Sequence, residues 1–241
     1  LVENIIIAAT VFLGSAVTGT AGFGFGIVSM SILPFVMSVK IANPMVSIYA
    51  IVIFGIMNLQ FRKSISWSKS LPLVIGSVVG IPVGVLGLIY LDETLMRRLI
   101  GGFITLYVAY SLTLGRRALK GINPKWGYLA GFLGGCTGGA FNTSGPPVAI
   151  YLSAQPWDKG DIKNTLQFYF LFNYVYKVTI LFFSGLLTKE ILLYNLYFSP
   201  FLLVGMFVGW MVFTRLRNDI FRWLILVLLA VSAVLLIVKN E

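Results

Sequence analysis

The chain has 241 residues, 58% of them hydrophobic and only 11% charged, where an ordinary soluble domain carries roughly 25% charge. Apolar runs of spanning length, about 18 residues or more, recur from end to end, which excludes a soluble helical core and identifies an all-α polytopic membrane protein. The net charge of +10 comes from Lys and Arg in short loops, where they set membrane orientation, and is not a nucleic-acid signal.

The first apolar stretch, residues 4–38, is interrupted by Gly19-Thr20-Ala21-Gly22-Phe23-Gly24-Phe25-Gly26. No short cleavable signal with a basic start is visible, and the segment from Ile5 reads as the first membrane element. Residues 42–61, 71–91 and 95–114 follow as three spanning helices, then a basic connector from Arg116 to Lys125. Residues 126–155 form a second interrupted stretch, and 163–187, 191–214 and 219–238 are again three spanning helices. The second interruption, Gly134 to Pro147, reads Gly-Gly-Cys-Thr-Gly-Gly-Ala-Phe-Asn-Thr-Ser-Gly-Pro-Pro. Glycine weakens a helix and proline cannot donate to the previous turn, so the backbone is expected to break there. Hydrocarbon cannot satisfy the freed groups, so the break must be buried in protein or line a polar cavity.

One pattern thus occurs twice, giving repeats over residues 1–120 and 121–241, each an interrupted (re-entrant or broken) element plus three transmembrane helices. Gly14, Thr20 and Gly22 recur 117 residues later as Gly131, Thr137 and Gly139, and Gly80, Gly84 and Arg97 recur 125 later as Gly205, Gly209 and Arg222. A continuous helix over the first stretch would be about 54 Å long, against a hydrocarbon core of ~30 Å. The stretch is therefore expected to turn back as a hairpin, which makes the two repeats inverted; a single crossing would make them parallel. With inversion, twelve of the eighteen Lys and Arg residues fall on one side and five on the other, Lys177 lying inside a helix; with parallel repeats the split is nine to eight. The positive-inside rule selects inversion, with both termini outside and the 115–125 connector cytoplasmic. Trp67, Trp126, Trp157 and Trp223 fall near predicted helix ends, where interfacial Trp belongs.

Interrupted elements in corresponding positions of two inverted halves point to a transporter site at the midplane. After the second break, Thr143 or Ser144 is placed to cap a new helix, with Pro146 near its first turn. Asn142, Thr143, Ser144 and Gly145 would then surround free backbone N–H groups and the positive end of a dipole, the components of an anion site. Thr20, Gly22 and Gly24 are the counterpart candidates in the first half, with Ser29 adding a hydroxyl. The other role open to these glycines is close helix packing.

Lys177 lies mid-helix in 163–187, with Asn173 one turn earlier on the same face and Tyr169 and Tyr176 nearby. A buried ammonium in a membrane costs at least ~2.5 kcal/mol on insertion scales and usually lines a pathway or has a partner. All eight acids sit at predicted ends or loops, so no carboxylate is expected beside it. A substrate anion is one partner; snorkelling to the interface or backbone carbonyls are the others.

The missing groups are informative too. One cysteine, Cys136, excludes an intramolecular disulfide and a multi-Cys metal site, and the absence of His removes the commonest metal ligand and neutral-pH base. Without intramembrane acids or His, the usual proton relay is not expected. No Walker-type loop is present, so ATP drive would need another subunit. Ser144 with Lys177 has the residue types of a hydrolytic dyad, but nothing in the sequence brings them together. No enzyme activity, no metal and no cofactor is expected, and Cys136 reads as a small packing residue.

At the Gly19–Gly26 segment, the Gly134–Pro147 segment and the Asp161 to Asn173 stretch, the chain resembles the TauE/SafE family, sulfite and organosulfonate exporter-like proteins also called toluene-sulfonate uptake permeases. The likeness covers nearly the whole length. It implies a bacterial-type inner-membrane carrier of small sulfur-containing or carboxylate anions, and carries over no catalytic motif. The combined expectation is a multi-pass secondary transporter, exporting sulfonates or sulfite by alternating access. Its partners would be the small anion and the bilayer, not nucleic acid. An anion channel using the same breaks and a non-transporting scaffold are the alternatives.

Overall fold

The computed structural model describes residues 2–60, 67–113, 121–213 and 218–238, without the side chains of Ala21, Gln60, Val212, Phe213 and residues 218–225. Residues 114–120 of the basic connector, Arg62, Lys63, Arg215, Arg217 and the chain termini lie outside the described residues, as do the side chains of Arg222 and Trp223.

The described chain is helical, with no strand. In order come α1 (Val2–Ala21), α2 (Phe25–Ile32) with a 3-10 turn over Leu33–Phe35, α3 (Val39–Gln60), α4 (Trp67–Tyr90), α5 (Glu93–Thr113), α6 (Trp126–Phe141), α7 (Gly145–Ser153), α8 (Lys159–Phe183), α9 (Lys189–Phe213) and α10 (Asn218–Val238). A broken pair followed by three long helices therefore occurs twice. Among the described residues, α1, α3, α4, α8 and α9 are long and apolar enough to cross a membrane. The sequence reading also counted the fifth helix. It has 21 residues but carries Glu93, Arg97 and Arg98 in its first turns and falls outside that group. Of α10, side chains are described only from Leu226 onward.

The breaks are narrower than the glycine-rich stretches that announce them. Gly134 to Gly139 are helical and belong to α6; the chain leaves the helix only at Asn142–Ser144. In the first half it does so at Gly22–Gly24. Helices α1 and α6 end at Ala21 and Phe141, α2 and α7 begin at Phe25 and Gly145, and α3 and α8 begin at Val39 and Lys159, each pair 120 residues apart. By element order, Gly22 thus corresponds to Asn142, and not to Gly139 as the 117-residue spacing suggested. Both take left-handed backbone, with φ of 80° and 58°. Asn142 is the one non-glycine with positive φ among the described residues, and Asn tolerates that region better than most side chains.

The chain forms two compact units, each drawing on both halves of the sequence. One contains Leu1–Val46, Tyr90–Arg116 and Thr188–Glu241; the other contains Ser47–Ile89 and Arg117–Leu187.

In the first unit α1 packs on α9 at backbone distance. A Cβ on Gly205 would collide with the Phe12 carbonyl and the Ser15 hydroxyl, and one on Gly209 with the backbone of Ala16. Between helices already bathed in hydrocarbon, such close van der Waals approach replaces the hydrophobic drive. Glu93, the first residue of α5, accepts from Ser38 Oγ and from Val39 N, each at 2.8 Å, and so caps the start of α3.

In the second unit glycines mesh reciprocally. Gly76, Gly80 and Gly84, four residues apart on α4, face the backbone of Tyr128, Phe132 and Cys136 on α6. Gly131, Gly135 and Gly139 on α6 face Leu73, Ser77 and Ile81 on α4. Packing is thus the role of these α6 glycines, and the other face of α6, at Gly134 and Gly138, lies against Tyr169 and Ser144. At the entrance to α8, Asp158 accepts from the Asp161 N–H at 2.9 Å, and that bond holds the Asp158 carboxyl below the usual carboxylate range. Asp161 pairs with Lys69, whose ammonium also lies 5.2 Å from the Trp157 ring centroid.

Candidate functional site

The second break is closed on itself by two threonines. Asn142 N donates to Gly138 O at 3.0 Å, and Thr143 N to Thr137 O at 3.3 Å, so orphan carbonyls at the end of α6 are used. Thr137 Oγ1 donates to Thr143 O at 3.1 Å and Thr143 Oγ1 to Thr137 O at 3.4 Å. Of the two residues expected to cap α7, Thr143 and Ser144, Ser144 takes the N-cap position but makes no side-chain cap bond. The α7 start is also poorer in donors than expected. Pro146 and Pro147 carry no N–H, so the amides of Ser144 and Gly145 are what the break contributes.

Lys177 reaches this break from α8. It is 1% exposed, and its Nζ donates to Gly138 O and to Asn142 Oδ1, both at 2.8 Å. The partners open to it from sequence were an anion, the interface or carbonyls. The structure gives it a backbone carbonyl and an amide oxygen, with no carboxylate among the described residues. Asn142 Oδ1 also accepts from Ser47 Oγ of α3 at 2.9 Å, and Asn142 O accepts from Tyr174 OH at 3.1 Å. One residue therefore ties α3, α6 and α8 together.

Asn173 is buried one turn before Lys177, and its Nδ2 donates back to Tyr169 O at 2.8 Å. Tyr169 OH in turn donates to Gly131 O at 3.3 Å. Asn142, Thr143, Ser144, Gly145, Asn173 and Lys177 all belong to the second unit. Thr20, Gly22 and Gly24 belong to the first. There Thr20 Oγ1 turns onto its own helix, donating to Val17 O at 2.8 Å. Gly24 is the N-cap of α2 with φ 118°, a conformation open to glycine. Ser29 Oγ is fully buried with no hydrogen-bond partner among the described residues.

Several residues that hold the break were not among the site candidates, Thr137 having been noted only as the counterpart of Thr20. Ser47, Tyr174 and Thr137 hold the break, and a hydroxyl inside a spanning segment was the signal available. Gln167 carries a further buried amide, which sequence reading did not single out. It is 1% exposed, and neither of its amide atoms has a partner among the described residues, while Asn58 Nδ2 donates to its backbone oxygen at 3.0 Å.

Chemically, the arrangement offers, among the described residues, one buried cation at the end of a broken helix and a few backbone donors. That suits holding an anion.

Residues 6–236 match the model of the family described as "Sulfite exporter TauE/SafE", in agreement with the resemblance carried by the glycine-rich segments. Comparison with curated proteins and with solved structures found no match.

Proposed function

Since the chain belongs to the sulfite exporter TauE/SafE family, a family of membrane transporters, we propose that it carries a small sulfur-containing anion, sulfite or a sulfonate, outward across the cell inner membrane by alternating access. The site in the second unit would comprise Asn142, Thr143, Ser144, Gly145, Asn173 and Lys177, and Thr20, Gly22 and Gly24 of the first unit remain candidates in their own right. The repeats over residues 1–120 and 121–241 would be inverted, with termini outside and the 115–125 connector cytoplasmic; the Lys and Arg asymmetry supports this.

The observation that carries the proposal is the buried Lys177 ammonium, held on two oxygens of the break and on no acid among the described residues. An arriving anion takes the N–H of that ammonium left over by Gly138 O and Asn142 Oδ1 and pulls the charge toward itself. Binding then weakens the hold of α8 on the break, which gives the ligand different affinities for two arrangements of the chain, the requirement for a ligand-driven change.

The test is flux from proteoliposomes loaded with sulfite or methanesulfonate. A carrier gives saturable efflux that is accelerated by anion on the opposite side. Discrete single-channel currents would make the protein a channel, and absence of flux for every small anion would make it a scaffold.

A further inference from the structure

We infer that the site is built for a single negative charge, so that it takes a monoanion such as a sulfonate or bisulfite and discriminates against dianions such as sulfate. The inference rests on the reading above and narrows its substrate class.

In the second unit the described lysines are Lys69, Lys125, Lys159, Lys163 and Lys177. Lys125, Lys159 and Lys163 are exposed at helix ends, Lys69 pairs with Asp161, and only Lys177 is buried. In the sequence as a whole, Lys177 is the one Lys or Arg in the interior of a spanning segment. Among the described residues the site therefore holds one full positive charge.

Donor geometry points the same way. An ammonium has three N–H donors and no planar fork. Two of them already go to Gly138 O and Asn142 Oδ1, leaving one for a ligand. An arginine would instead grip two ligand oxygens at once. Helix α7 adds little, since Pro146 and Pro147 remove N–H groups from its first turn and a helix start supplies only about half a unit charge. The surrounding oxygens, Asn142 Oδ1 and Gly138 O, are acceptors and repel a second negative charge. A dianion in this setting keeps one charge uncompensated in a low-dielectric site, where an unpaired ion is heavily penalised.

Methanesulfonate, methyl sulfate and sulfate make the test, because each presents a tetrahedral sulfur with at least three oxygens, and the first two carry one negative charge where sulfate carries two. Binding to the purified full-length protein is measured by titration calorimetry, on the natural chain and on Lys177→Met. Both monoanions are expected to bind at least ten-fold more tightly than sulfate, and Lys177→Met to abolish that binding. Sulfate binding as tightly as methanesulfonate would overturn the single-charge inference and leave the anion site standing. Monoanion binding that survives Lys177→Met would overturn it by moving the charge elsewhere. Failure of all three to bind the natural chain would overturn the anion-site reading and the inference with it. The ratio on the natural chain decides the charge question even if the variant fails to fold.

Discussion

Asn142 Oδ1 lies 2.8 Å from Lys177 Nζ, and the same residue takes the left-handed backbone that ends α6. Side chain and backbone can be separated by substitution. Asn142→Gly keeps the turn and removes the oxygen, leaving Ser47 Oγ and one Lys177 donor without that acceptor. Loss of a buried partner costs about 1–3 kcal/mol. Asn142→Ala adds the left-handed penalty of roughly 1–2 kcal/mol. Thermal denaturation in detergent should rank the natural chain above Gly, and Gly above Ala. An Ala variant as stable as the Gly variant would remove the backbone from the explanation.

The meshed glycines of α4 and α6 predict a contrast within one protein. A Cβ on Gly80 meets the Phe132 carbonyl and lies 3.0 Å from Cys136 N, both backbone atoms that cannot swing aside. Gly80→Ala should destabilise by about 1–3 kcal/mol, the range for overpacking. At Gly55 nothing lies within 4 Å of the added carbon. There the alanine should be neutral or stabilising by about 0.5–1 kcal/mol, the helical preference for Ala over Gly. Equal melting temperatures for the two variants would contradict the packing account.

These glycines also mark how far sequence reading reached. Helix order, the two breaks and a lysine buried inside a helix were legible, because hydropathy, Gly/Pro placement and a charge inside a span are local signals. The roles within Gly134–Pro147 were not. Gly135 and Gly139 are small because α4 lies against them, and nothing in the stretch itself says whether a glycine packs or breaks. The 117-residue spacing matched glycines one helical turn out of register, since small residues recur at such intervals in any close-packed membrane helix. Ser47 and Tyr174 were invisible for another reason. Each acts on Asn142 across a tertiary contact, and 95 residues separate Ser47 from it.

Gln167 is expected to trade stability for function. Both its amide atoms are buried with no partner among the described residues, and each such group costs about 1–3 kcal/mol. Gln167→Met keeps the length and removes the polar atoms, so it should raise the melting temperature. If the amide serves the transported anion, the same variant should lower flux. A lowered melting temperature would show that the amide is satisfied in the folded protein.

Asp158 gives a pH dependence of known sign. Its carboxyl titrates below the ordinary range because it accepts the Asp161 N–H at the start of α8. A lowered folded value means the unfolded chain binds the proton more readily, so stability rises with pH across that window. The contribution is fully present above the unfolded value of about 3.9 and is lost as pH falls through the lower folded value. The melting-temperature gap between the natural chain and Asp158→Ala should therefore be constant near neutrality and shrink in acid. Asp158→Asn, which retains a capping oxygen, should show a smaller gap with little pH dependence. A gap that widens on acidification would reverse the assignment.

The central claim is that Lys177 at the second break holds the transported anion. The most direct measurement is counterflow of labelled methanesulfonate in proteoliposomes containing Lys177→Met, with correct folding checked by an unchanged gel-filtration profile. Methionine keeps an unbranched apolar stem and removes the charge. The account predicts that saturable counterflow disappears while the protein remains folded. Counterflow at the natural rate and half-saturation would contradict it.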